Sequence, residues 1–389
     1  MTTTTAKQKT QMAATFTKGK KFFEQTISRL FISLVIITIL GITTSFPANA
    51  ESTTNNYMST DASISPIFNP EKVRLGITPT GWSNSDDLTI DLNPPISYKQ
   101  IISEIALSGF KGLQGSPKFP QDTATLKKDL EARGLTISEP WVGTYFTIGA
   151  KEDSQKIFEA QVKFMKNFDS DVIVVAELGG AVHQQPIEPL NNRPIFDDIQ
   201  WKLLIDGLNS LGDQANAEGM VLCYHPHVGT GVETRADIDK LMKGTKDHHV
   251  NLLLDTGHLY YVGISQEEIL KLIQDYGDRI KHVHLKNIRQ DVLEKAKEEK
   301  LSFLDAIRAG VFTVPGDNIG IIDFNAIFNK LAAVNYQGWL IVEAEQDPRN
   351  KDICPFAFDG VKALNPPCEP LDYAQVARRY LNQFFFSQE

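Results

Sequence analysis

Between residues 73 and 344 the sequence repeats one alternation eight times: a short run rich in Val, Ile and Leu, then a longer stretch with an amphipathic helical pattern. The apolar runs lie at 73–77, 109–113, 135–140, 172–176, 220–224, 251–255, 280–285 and 339–344. Helical patterns lie at 98–108, 124–133, 153–168, 201–218, 235–243, 266–276 and 324–334, with a last one at 373–385. Strands that alternate with helices pair in parallel, because a parallel neighbour is reached only through a long crossover. Eight such units predict an α/β fold, a closed (β/α)8 TIM barrel, whose usual length of about 250 residues is accommodated here with insertions. No GxGxxG or GxxxxGK[ST] follows a strand, so a doubly wound nucleotide-binding sheet loses its best support.

Charge separates the N-terminus from the rest. The 389 residues carry a net charge of −9. Residues 1–50 hold six basic residues and one acid, a net of +5, which leaves −14 on the remainder. A basic flank at Lys18, Lys20 and Lys21 precedes an apolar run at 30–42, and Ala48 and Ala50 form an A-x-A exit. This is the pattern of a secretory signal peptide cleaved after Ala50, with export to a periplasm or medium; an uncleaved membrane anchor is the alternative. Residues 51–70 have few apolar side chains and read as a disordered leader, so the barrel domain is expected over 71–389. The acidic remainder argues against a nucleic-acid partner, which needs clustered Lys and Arg.

Active sites of such barrels lie at the C-terminal ends of the strands. Ionisable residues gather there: Glu177 after the fourth run, His225 and His227 after the fifth, Asp255 and His258 after the sixth, His282 and His284 in the seventh, Glu343 and Glu345 in the eighth. Residues two apart on a strand share a face, so His282/His284 and Glu343/Glu345 can each point inward together. A mixed set of imidazoles and carboxylates suits a divalent transition metal, Mn2+, Co2+ or Zn2+, better than Mg2+ or Ca2+. Asp255 could instead cap the helix that follows it, and Glu345 could pair with Arg349 or solvent. His183, His248 and His249 fall in loops and read as surface residues. Cys223 lies in an apolar strand as packing, whereas Cys354 and Cys368 are close enough in sequence to form a disulfide after export. No G-x-S-x-G elbow supports a serine hydrolase.

These residues in this order resemble the xylose-isomerase-like barrel superfamily of sugar isomerases, epimerases and apurinic-site endonucleases, and within it the inosose dehydratases of inositol catabolism. The likeness is carried by GITPTGWSNSDD at 76–87, YHPHVGTG at 224–231, LDTGH at 254–258 and HVHLK at 282–286. Its narrower pieces are SFLDA at 302–306, GVFTVPGD at 310–317 and GWLIVEAEQDP at 338–348. The resemblance implies one metal held by His225, Asp255, His284 and Glu343. It implies substrate contacts from His227, Lys286 and Arg289, and proton transfer by Glu177 and His258. Where the dehydratases tend to read Gly-Thr-Glu after the second strand, this chain has GLQG at 112–115.

The expected partner is a small polyol or keto-sugar, with a homo-oligomer compatible. The expected reaction is dehydration of a cyclic polyol ketone. A sugar or sugar-phosphate isomerase or epimerase would use the same metal-stabilised enediolate, and an exported sugar-binding protein on a degenerate barrel is the reading outside enzymology.

Overall fold

The structure, a computed structural model, describes residues 66–355 and 368–386; the expected signal peptide and the leader up to residue 65 lie outside these residues. Eleven strands are present among the described residues: β1 (Val73–Ile77), β2 (Gly112–Gln114), β3 (Thr136–Glu139), β4 (Trp141–Thr144), β5 (Val172–Glu177), β6 (Val221–Tyr224), β7 (Val250–Asp255), β8 (Ile280–Leu285), β9 (Asn287–Ile288), β10 (Phe312–Thr313) and β11 (Gly338–Val342). Nine of them form one parallel sheet in the order β3-β2-β1-β11-β8-β7-β6-β5-β4. The two ends of that order, β3 and β4, are separated only by Pro140. One continuous run of chain therefore supplies both edges, and the sheet closes into the eight-staved barrel expected from the sequence. Proline interrupts the third stave because it has no N–H to give to the ladder, while its carbonyl still accepts from the Val174 N–H at 3.3 Å.

The outer helices start where short polar side chains can satisfy their free N–H groups. Ser97, Asp122, Asp197, Thr234, Ser265 and Asp323 each accept a hydrogen bond from the backbone N–H three residues on. Between helices and strands lies the main apolar core, which includes Ile101, Leu126, Phe158, Leu208, Ile238, Ile269 and Phe328. A second cluster of Val172, Val174, Cys223, Leu253, Trp339 and Ile341 comes from alternate strand positions on the other face and floors the barrel. Gly112 makes room for it: a Cβ there would meet the Trp339 ring at 2.5 Å.

Three details depart from the sequence reading. The second strand begins at Gly112 rather than at 109, because Gly109 adopts φ +88 just past the helix Tyr98–Leu107, the left-handed position that commonly ends a helix. Ile67 and Phe68, grouped with the leader by composition, donate backbone hydrogen bonds to the Phe384 carbonyl, and Phe68 is buried in the main core. Between β8 and β11 an insertion folds as the helices Gln290–Glu298 and Phe303–Arg308 with an antiparallel β9–β10 pair, which the sequence pattern did not reveal. Cys354 and Cys368 form a disulfide, tying the chain after β11 to the start of the last helix, Pro370–Asn382. No helix among the described residues is long and apolar enough to cross a membrane.

Candidate active site and metal centre

Three of the floor residues on the inward face are followed, two positions later, by an ionisable side chain on the same face. Cys223 leads to His225, Leu253 to Asp255, and Ile341 to Glu343. On β8 the corresponding pair is His282 and His284. The alternation that packs the floor thus delivers four side chains to one level of the barrel.

His225, Asp255, His284 and Glu343 are all buried, and one potential ligand atom from each lies within 4.8 Å of the others. Glu343 Oε2 is 2.9 Å from His284 Nδ1. Asp255 Oδ2 is 3.6 Å from His225 Nε2 and 3.7 Å from His284 Nδ1. Asp255 divides its labour: Oδ1 accepts the His258 N–H at 2.8 Å and caps the helix Thr256–Tyr261, whereas buried Oδ2 has no hydrogen-bond partner. Capping and ligation are therefore compatible. His225 Nε2 is likewise buried and unpartnered. Buried polar atoms left unpaired are rare and call for a partner; here they converge, and two imidazoles with two carboxylates form a donor set suited to a divalent transition metal.

Beneath this level lies a carboxylate that strand periodicity alone did not single out. Glu139, the last residue of β3, accepts from His282 Nε2 at 2.9 Å and faces His284 Nε2 at 3.2 Å, with Ser138 Oγ donating at 2.5 Å. A proton on His284 Nε2 that points at Glu139 leaves the Nδ1 lone pair for the cluster. Burial pushes the Glu139 pKa up, but His282 and His284 push it down further and hold it well below the usual carboxylate range. His282, in register with Leu253 of the floor, is thereby paired rather than presented at the rim.

Lys286 reaches the same cluster from above. Its buried Nζ is 2.7 Å from Glu345 Oε2, 3.0 Å from Glu343 Oε2 and 3.6 Å from Asp255 Oδ2, and 2.8 Å from His258 Nε2. Burial opposes its charge, but Asp255, Glu343 and Glu345 outweigh burial and raise its pKa above the ordinary lysine value. Burial pushes the Glu345 carboxyl up to about 7, against the pull of Lys286. His258 is held well below its ordinary value by burial, with His227 and Lys286 adding to it. His227 is also depressed by burial, and its Nδ1 lies 2.8 Å from the Val228 carbonyl.

A cavity of about 170 Å3 opens onto these groups, lined by His225, His227, His258, Glu343 and Glu345 together with Thr80, Ser85, Asp86, Gln114, Trp141 and Gln184. Two expected site residues are elsewhere. Glu177 is fully buried and accepts five hydrogen bonds, from Thr144 Oγ1, the Phe146 N–H, the Thr147 N–H and Oγ1, and the Gly179 N–H. With both oxygens engaged away from the cavity, it fastens the turn after β4 to the turn after β5 rather than meeting a substrate. Arg289 is also turned away: its guanidinium donates to the Gly310 and Phe312 carbonyls, Thr313 Oγ1 and Asp317 Oδ2, holding the insertion together. His183, read as a surface residue, is buried against His227 with ring centroids 4.9 Å apart, whereas His248 is exposed and His249 half-exposed.

With this geometry established, comparison with known proteins places the chain. The family model for the xylose isomerase-like TIM barrel matches residues 102–362. The chain belongs to that family. Among curated relatives, the inosose dehydratase of Geobacillus thermodenitrificans is 43% identical over 318 residues, covering 82% of this chain and 99% of the relative. That of Clostridium botulinum is 45% identical over the same shares. Solved structures share the fold at low identity. The probable 3-DHS dehydratase AsbF of Bacillus anthracis has a TM-score of 0.56 at 14% identity, covering 79% of this chain and 98% of its own. D-Psicose 3-epimerase of Clostridium cellulolyticum, solved with D-tagatose, has a TM-score of 0.55 at 17% identity, covering 80% and 100%.

Proposed function

We propose that this chain is a metal-dependent hydro-lyase that removes water from a cyclic polyol ketone, scyllo-inosose being the substrate implied by its relatives. The observation that carries the reading is the buried four-ligand cluster inside a chain that matches inosose dehydratases over nearly their whole length. His225, Asp255, His284 and Glu343 would hold the metal, with Mn2+ or Co2+ favoured over Zn2+. A divalent ion there supplies Lewis-acid stabilisation for negative charge on the ketone oxygen.

The chain's own residues then have two tasks. The first is to take the proton from the carbon beside the carbonyl, leaving its electron pair as an enolate. Glu345, at the cavity wall and 2.7 Å from Lys286 Nζ, is the carboxylate placed for it. The second is to protonate the β-hydroxyl as the enolate electrons expel it as water. His258 Nε2 lies on the other side of the same ammonium at 2.8 Å, so Glu345, Lys286 and His258 form a chain along which the proton can be handed on. The buried ammonium also balances the carboxylates that surround it. His227 contributes to the cavity wall as a neutral ring.

We further propose that the enzyme is exported. The cationic leader with its A-x-A exit and the Cys354–Cys368 disulfide both support an oxidising compartment. The test is a substrate panel on the Mn2+-loaded chain and its E345Q variant. Turnover of scyllo-inosose that is chelator-sensitive and falls at least 100-fold in E345Q is expected. Conversion of free ketoses to their epimers with no action on inosose would replace this reading with the epimerase one, and sugar binding without turnover would replace it with a binding protein.

A further inference from the structure

His225, Asp255, His284 and Glu343 lie on or just after β6, β7, β8 and β11, which occupy one half of the barrel. The other half of the cavity wall is built from the ends of the remaining staves: Thr80, Ser85 and Asp86 after β1, Gln114 on β2, Trp141 on β4, and Gln184 after β5. This half is polar but offers no ligand cluster. Two of its loops meet: Gln184 Nε2 donates to Asp86 Oδ1 at 3.1 Å, and buried His183 stands behind the same oxygen with Nε2 at 3.8 Å.

Two polar atoms in this wall remain free. Ser85 Oγ is buried without a hydrogen-bond partner, and Asp86 Oδ2 takes no hydrogen bond from the described residues. The backbone fixes both in place, because Asn84 Oδ1 accepts the Asp86 and Asp87 N–H groups and Asp87 pairs with Arg308 at 2.6 Å. A carboxylate oxygen and a hydroxyl on one cavity wall, with a primary amide on the carboxylate's other oxygen, match ring hydroxyls, each of which donates one hydrogen bond and can accept from a donor. A ligand that engages its carbonyl side at the metal half turns its remote carbons toward this wall.

We propose that Ser85, Asp86 and Gln184 form the subsite that reads the ring hydroxyls remote from the reacting carbons, with His183 as a positioning residue behind Asp86. The assignment rests on the dehydratase reading and adds to it the part of the site that selects a fully hydroxylated ring. A site built to hydrogen-bond a hydroxyl rejects the analogue that lacks it, because its own polar groups are then left unpaired.

The experiment measures kcat/KM and KM of the Mn2+-loaded full chain and its S85A, D86N and H183A variants on scyllo-inosose and on analogues each lacking one hydroxyl remote from the carbonyl. Metal content and thermal midpoint are recorded for each variant. Wild type should prefer the parent ring by at least tenfold over one of the analogues. D86N should lose most of that preference and S85A part of it, with metal content unchanged in both. H183A should raise KM for the parent ring alone, and H183N should recover part of the loss. Preference retained in D86N and S85A, at wild-type metal content, would overturn the subsite while leaving the dehydratase reading intact. Failure of wild type to turn over the parent ring would overturn both. Ser85→Ala removes one unpaired hydroxyl, so it keeps the test decisive if Asp86→Asn disturbs the loop.

Discussion

Replacing Glu139 with Gln tests whether the metal cluster is set from below. Glu139 has no exposed surface and accepts from His282 at 2.9 Å and from Ser138, with His284 Nε2 at 3.2 Å. Gln keeps the volume but turns one acceptor oxygen into a donor that faces an imidazole N–H or the Ser138 hydroxyl. The loss of a charge-assisted bond, about 1.5–3 kcal/mol, should appear as reduced stability of the metal-free protein. His284 then loses the partner that holds its Nε2 proton, and outer partners of a ligating His are worth roughly 10–100-fold in metal affinity, or about 1.4–2.7 kcal/mol. The pH dependence follows in sign. Burial raises the Glu139 pKa, but His282 and His284 lower it by more, so its folded value lies below the ordinary 4.5. Its contribution is complete above pH 4.5 and is withdrawn as pH falls toward the depressed folded value. The assay is Mn2+ titration by calorimetry at neutral pH, together with urea unfolding of the metal-free protein at neutral and acid pH. E139Q should bind Mn2+ at least tenfold more weakly and lose less stability on acidification than wild type. Wild-type Mn2+ affinity in a folded E139Q would refute the idea that Glu139 orients His284.

Asp255→Asn should keep the helix cap, since Asn and Asp cap equally well, while removing the unpaired charged oxygen. The expected protein unfolds within about 1 kcal/mol of wild type yet fails to retain metal on dialysis, measured by elemental analysis. Glu177→Gln places an NH2 group among five donors and should cost about 2–3 kcal/mol by denaturant unfolding. Its kcat/KM per folded molecule should stay within a few-fold of wild type, and abolished turnover at full stability would restore Glu177 to the chemistry. The Cys354→Ser and Cys368→Ser pair removes a link across 14 residues and should lower stability by roughly 3 kcal/mol on a loop-entropy basis. A reductant should move wild type toward the variant in the same unfolding assay.

The barrel was legible because a fully buried parallel strand leaves an unbroken apolar run, and eight such runs alternate with helical patterns. The upper rim was legible for a related reason: His225, Asp255, His284 and Glu343 each end such a run. The resemblance then sorted them from their neighbours His227, His258, His282 and Glu345. Glu139 also ends an apolar run, but Pro140 follows it and the stave bends there, so strand periodicity gave no hint that its carboxylate turns inward. Its signal was indirect, in that an inward His282 at floor level demands a buried partner. Glu177 shows the limit of position as evidence. It sits at a strand end like the others, yet the end of β4 brings it donors from Thr144, Phe146 and Thr147, its own following turn adds Gly179, and only three-dimensional contacts reveal that its oxygens are spent. Arg289 was misplaced for a similar reason, because the insertion holding Gly310, Thr313 and Asp317 folds back over it. The burial of His183 depends on contact between loops distant in sequence, which no local pattern encodes.

The most direct measurement is product analysis after the Mn2+-loaded full chain meets scyllo-inosose, followed by proton NMR and mass spectrometry with and without a chelator. A product lighter by one water, formed only without chelator and absent with D255N, is the predicted result. A ketone recovered unchanged, or isomerised with its mass intact, would contradict the account.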